Sequence, residues 1–241
     1  AVELMLNLDF DWRQQWYLLA LLGVALAVPA WRWLPLPVIT STSQQQTAMQ
    51  PEPGSRFIRL MLFSYFGAGY GYVVTATFIV TIVERLPGLT GSGNLAFVLL
   101  GLAAAPAVLI WDLLARGLGF LNAIILALLL QTLAIALPLT VPGLWPVLFS
   151  AALFGATFIG VVSLVLTMAG RLYPTKPARL MGKLTLAYGL AQVIAPAITG
   201  VLAKATGSYQ PGLLLAAGFV ALSALLLYWL KRTDQTLAQL Q

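Results

Sequence analysis

Seven stretches of this chain are apolar over the length needed to cross a bilayer, and one long polar segment divides them one plus six. A helix rises about 1.5 Å per residue, so about 20 apolar residues cross the hydrocarbon core. The stretches are 16–36, 57–83, 95–115, 120–139, 144–170, 184–203 and 213–230. The divider is 38–55 (VITSTSQQQTAMQPEPGS), and the other connections are short turns. Hydrophobic residues make up 60% of the chain and charged residues 8%. About a quarter of a soluble domain is charged, so this composition cannot cover a water-facing surface. Runs such as IILALLL (124–130) and LLLAA (213–217) do not alternate, unlike the strands of a membrane β-barrel. The predicted class is an all-α integral membrane protein with seven transmembrane helices.

The chain contains no Cys and no His. That excludes disulfides, thiolate chemistry, Cys/His metal sites and every His-based triad. Nothing reads as a nucleotide-binding loop. No catalytic residue, metal or cofactor is expected, and the chain does not read as an enzyme.

The net charge of +6 has a membrane explanation rather than a nucleic-acid one. Successive loops alternate sides. One side collects Arg32, Arg56, Arg59, Arg116, Arg171, Lys176, Arg179, Lys183, Lys231 and Arg232; the other has Arg13, Arg85 and Lys204. The positive-inside rule then places the polar segment and the C-terminus in the cytoplasm and Ala1 outside. The first fifteen residues carry Glu3, Asp9 and Asp11 against Arg13, which is the wrong charge for a secretory n-region. An external N-terminus without a signal, beginning with Ala, leads to the expectation that further spans precede Ala1. Five would make twelve.

Polar content separates the spans. The first, fourth and seventh carry almost none, which predicts lipid-facing supports. The second carries Ser64, Tyr65, Gly67, Gly69, Tyr70, Gly71, Tyr72, Thr75 and Thr77, and the fifth and sixth are similarly rich in small and polar residues. Gly67 and Gly71 form a GxxxG, which serves close helix packing or approach to a moving partner or substrate.

Three passages carry a family resemblance. Asp11-Trp12-Arg13 resembles the external turn before the sixth span of major facilitator superfamily transporters. Residues 111–119 (WDLLARGLG) resemble a degenerate second copy of that superfamily's cytoplasmic D-R-x-G-type loop. Residues 192–209 (QVIAPAITGVLAKATGSY) resemble its eleventh span and the following turn. Within the superfamily, 66–78 (FGAGYGYVVTATF) is most similar to the YbfB/YjiJ-like permeases, although their Pro before Ala-Thr-Phe is Thr75 here.

The resemblance implies a partial twelve-helix fold in the bacterial inner (plasma) membrane. Residues 1–37 would be the last helix of the N-terminal bundle and 38–56 the central cytoplasmic linker. Residues 57–232 would be the C-terminal six-helix bundle and 233–241 a cytoplasmic tail. It implies secondary transport of a small organic solute by alternating access, with the missing N-terminal half and the lipid bilayer as partners. Fold alone does not name the cargo. A seven-helix receptor would share the topology, but a retinal protein needs a Lys in its last span and 213–230 has none. A non-transporting assembly subunit is compatible with the packing glycines.

No ionisable residue sits near a midplane of these spans, so any proton-coupling acid would belong to the missing half. Asp112 and Arg116, four apart, share a helix face and can pair, either as a solvated interfacial pair or as a latch at the cytoplasmic gate. Glu84 and Arg85 are expected in water. The candidate substrate residues are neutral. Tyr188 and Gln192 share a face, and a mid-span amide must find partners on a neighbouring helix or in a cavity. Tyr65 and Tyr72 form one candidate face of the second span and Tyr70 and Thr77 another; the first pair is preferred. Phe154 and Thr157 of the fifth span complete the set. Such a site suits an amphipathic solute. Trp16, Trp31, Trp33, Trp145, Tyr173 and Trp229 fall at span ends and read as interfacial anchors.

Overall fold

Lipid offers no hydrogen bonds, so a backbone within hydrocarbon must satisfy itself, as a helix does. The computed structural model describes residues 11–33, 54–86, 88–141, 143–173 and 177–233, and helix is the regular structure found among them. The chain divides into two units, Ala1–Ala48 and Met49–Gln241. Residues 38–53 of the polar divider and 234–241 of the tail lie outside the described residues, as does Ala1.

In the first unit, α1 spans Trp12–Trp33. It starts four residues before the apolar stretch because Asp11 and Gln14 cap it. Asp11 Oδ1 accepts from the Trp12 N–H at 2.8 Å, and the Asp11 N–H donates to Gln14 Oε1 at 3.0 Å. These two bonds occupy amides at the helix start that have no partner within the helix.

The second unit comprises α2 (Ser55–Glu84), α3 (Gly93–Ala104), α4 (Ala107–Leu118), α5 (Phe120–Thr140), α6 (Leu144–Leu172), α7 (Pro177–Thr206) and α8 (Gln210–Thr233). Among the described residues, six helices are long and apolar enough to cross a membrane. α3 and α4, bent by 46°, make a seventh span if taken together. The third span is thus not the continuous helix expected over 95–115. Pro106 has no N–H and leaves the Leu102 carbonyl without its helical donor, so the helix stops at Ala104 and resumes at Ala107.

Glycines set the closest crossings. A Cβ on Gly67 would overlap Ser223 Oγ and the Phe219 carbonyl, and one on Gly71 would overlap Val220. The GxxxG is therefore the surface on which α2 seats α8. Gly69, on another face of α2, meets the Tyr188 ring and backbone of α7. α3 crosses α6 at Gly155, where a side chain would strike the Leu100 backbone. One turn on, the Trp111 indole of α4 lies on Gly160 and donates Nε1–H to the Ala156 carbonyl at 2.6 Å. Both halves of the broken span are thus fastened to one helix.

The lipid-facing expectation for the fourth and seventh spans needs correcting. α5 buries Gln131, and α8 buries Ser223, whose carbonyl accepts from Ser64 at 3.3 Å. These helices carry the bundle's core on one face and apolar side chains such as Leu129 and Leu225 outward on the other. A proline shapes α5 too. Pro138 deprives the Ala134 carbonyl of its i+4 amide, and the buried Ser150 of α6 supplies the missing donor through Oγ at 2.6 Å.

Candidate functional site

Aromatic rings from three helices meet where each helix is near its midpoint. Tyr65 and Tyr72 come from α2, Phe154 and Phe158 from α6, and Tyr188 from α7. The Tyr65 and Tyr188 rings are 4.7 Å apart, Tyr188 and Tyr72 5.9 Å, Tyr72 and Phe158 4.9 Å, and Phe158 and Phe154 5.6 Å. These separations lie in the range of favourable aromatic pairing. The small residues of α2 make the cluster possible, since Gly69 lets the Tyr188 backbone and ring approach.

The rings differ in access. Tyr65, Phe154 and Tyr188 are buried, whereas Tyr72 and Phe158 are half-buried and form the accessible part. Gln192 lies one turn beyond Tyr188 on the same face of α7. It is half-buried and makes no side-chain hydrogen bond among the described residues. Pro196 lacks the N–H that would bond the Gln192 carbonyl. This position therefore offers a side-chain amide and a backbone acceptor freed from the regular helix pattern. Val193 beside it is 74% exposed.

Not every predicted residue joins this group in the same way. Thr157 is buried, and its hydroxyl donates back to the carbonyls of Leu153 and Phe154 at 2.9 and 3.0 Å, which saturates its donor. Phe154 reaches the accessible rings through Phe158. Tyr70 leaves the alternative face of α2 for the interior, stacked on Phe219 at 4.5 Å, while Thr77 is exposed. Phe158 was missed by sequence reasoning. Its signal was the i,i+4 spacing from Phe154, which puts both rings on one face.

Charged residues occupy the bundle's two ends. Arg116 Nη2 lies 2.7 Å from Asp112 Oδ2, and Nε donates to the same oxygen at 3.0 Å. The arginine side chain is 70% exposed, so this pair alone adds little stability. Gly119, which closes the motif, joins α4 to α5 at φ 83°, a conformation open to glycine.

At the opposite end Glu84 is not simply in water, as expected. Its carboxylate accepts the Gly91 N–H at 2.7 Å and the Gly93 N–H at 2.9 Å. It thereby fastens the end of α2 to the start of α3. Those two amides hold its pKa below the ordinary carboxyl value. Arg85 stacks over the Tyr209 ring at 4.9 Å, tying α2 to the turn between α7 and α8.

A family model described as uncharacterised MFS-type transporter YbfB matches residues 1–228. The chain belongs to this family. Membership in this MFS-type transporter family makes it an integral membrane protein of the transport class, which agrees with its apolar helices. No curated protein matches the chain. Within the family's span, the match covers every residue of the aromatic group and both members of the Asp112–Arg116 pair. Among the described residues no cluster of three or more potential metal-binding side chains occurs.

Proposed function

We propose that the protein performs secondary active transport of a small, uncharged, amphipathic organic solute by alternating access. The observation that carries this reading is the mid-helix ring group of Tyr65, Tyr72, Phe158 and Tyr188, with the half-buried Gln192 one turn beyond Tyr188 on the same helix. Rings supply apolar faces for a flat or aliphatic body, and the Gln192 amide with its freed carbonyl supplies directional hydrogen bonds. Pockets for small molecules combine mostly apolar walls with a few placed polar groups in this way. No ionic side chain stands in the group, so a strongly charged solute would lack a counter-ion.

In this reading the second unit is one six-helix bundle, and a second bundle encloses the other side of the site. The polar segment is the central linker, held in the cytoplasm together with the C-terminus in an inner membrane. Asp112 and Arg116 then lie at the cytoplasmic mouth, where a pair that forms and breaks acts as a latch. Phe154 and Thr157 support the rings from behind.

The test is uptake and efflux by the full-length protein in vesicles, with a panel of neutral aromatic and aliphatic solutes. Gln192→Ala and Tyr188→Ala should each lower transport of the accepted solute at least tenfold while expression holds, corresponding to about 1.4 kcal/mol. Unchanged kinetics in both variants would remove this group from the pathway.

A further inference from the structure

We infer that the second unit holds an anionic phospholipid in a groove between α7 and α8, floored by α2. The groove has a volume of about 380 Å³ and is lined by Arg59, Phe63 and Phe66 of α2, Leu190 of α7, and Leu222 and Leu226 of α8. On α2 the lining falls at i, i+3, i+4 and i+7 from Arg59, and on α8 at the same spacing from Phe219. Each helix thus presents one continuous stripe to it. The groove follows from the packing. Gly67 and Gly71 draw α8 onto α2, and Gly69 draws α7 onto a different face of α2, so α7 and α8 part over the turns below.

Its chemistry selects the occupant. The polar side chain in the wall is already engaged, because Ser223 Oγ donates to the Phe219 carbonyl at 2.8 Å. The deep end closes on Phe66 and Phe219, whose rings meet edge-on at 6.2 Å. Hydrocarbon therefore fits the interior, and a hydrogen-bonding solute gains nothing there. Arg59 at the mouth is exposed and has no acidic partner among the described residues. One turn before it, Arg56 lies over the Trp229 ring at 4.3 Å. A tryptophan at a span end marks the headgroup level. From Arg59 to Phe66 the helix rises about 10 Å, so the groove runs from that level into the acyl region. A cation at the headgroup and a dry channel beneath it match a phosphate with one acyl chain. The ends of α2 and α8 at this mouth belong to the side that carries most of the basic residues, which suits an anionic leaflet.

The groove shares no lining residue with the ring group. The test places a photoreactive benzoylphenylalanine at Phe63 in the full chain, reconstituted into phosphatidylethanolamine vesicles with a minority of phosphatidylglycerol. Mass spectrometry of the adducts should show phosphatidylglycerol enriched about fivefold over its share, the effect of one basic residue near the surface. Arg59→Gln should return the adducts to the bulk ratio, and Arg59→Lys should keep the enrichment. Adducts that follow the vesicle composition in the unaltered chain would overturn the inference. So would cross-linking to another segment of the protein or to a second copy.

Discussion

Replacing Ser150 with Ala should destabilise the bundle by an amount that depends on Pro138. In the native protein the Ser150 hydroxyl is the donor that replaces the amide Pro138 lacks, at 2.6 Å from the Ala134 carbonyl in a buried position. Interhelical hydrogen bonds in membranes average about 0.6 kcal/mol, because the unfolded chain in lipid finds other partners. Here the carbonyl has no helical alternative, and an unsatisfied buried acceptor costs about 1–3 kcal/mol. Ser150→Ala should therefore cost about 1–2 kcal/mol. Pro138→Ala restores an N–H four residues after Ala134, so in that background the same change should cost less than about 0.5 kcal/mol. Reversible unfolding of the four proteins of the cycle in mixed micelles, followed by tryptophan fluorescence, measures the coupling. Additive effects within about 0.5 kcal/mol would mean instead that proline and serine do not share one carbonyl.

Other positions give independent checks. Gly155→Val should force α3 away from α6, where the Leu100 backbone leaves no room. A loss of about 1–3 kcal/mol is expected from overpacking, read as reduced thermal stability in detergent. Trp111→Phe should cost about 1 kcal/mol through loss of the indole donor to Ala156, measured in the same way. Glu84 has a folded-state pKa below its ordinary value of 4.5. Its contribution is thus fully present above that value and is lost as pH falls through the depressed folded value. Hydrogen-exchange protection of the Gly91 and Gly93 amides should fall on acidification in the native chain. In Glu84→Gln it should be low at neutral pH and show no such step.

The sequence carried six of the apolar spans, the seventh being a bent pair of helices, together with the shared face of Tyr65 and Tyr72 and the Asp112–Arg116 pair, because each depends on periodicity within one helix. Tyr65 and Tyr72 at a seven-residue spacing had to share a face, whereas the approach of Tyr188 to them over Gly69 appears only in the structure. What was less legible depends on geometry between elements. The Glu84 cap exists because the α2–α3 turn brings two amides back to the carboxylate, and no spacing rule announces that. Gln131 and Ser223 looked like isolated polar residues on lipid-facing helices, yet each helix has a buried face that low polarity conceals. The break at Pro106 was visible as a proline, but Pro138 and Pro196 sit inside continuous helices. The residue type alone did not say which span would bend. The polar divider was plain in composition, while residues 38–53 lie outside the described structure.

In the proposed mechanism the face of α7 bearing Gln192 lines a pathway open in turn to each side of the membrane. The chain has no cysteine, so a thiol introduced at one position reports on that position alone. Gln192→Cys and, as a buried control, Gln131→Cys in the full-length protein can be exposed to a membrane-impermeant thiol reagent. Right-side-out and inverted vesicles present the two faces separately. Position 192 should be labelled from both faces, more slowly with an accepted solute present, and position 131 from neither. Position 192 inert from both faces, or reactive from one face regardless of solute, would contradict that mechanism.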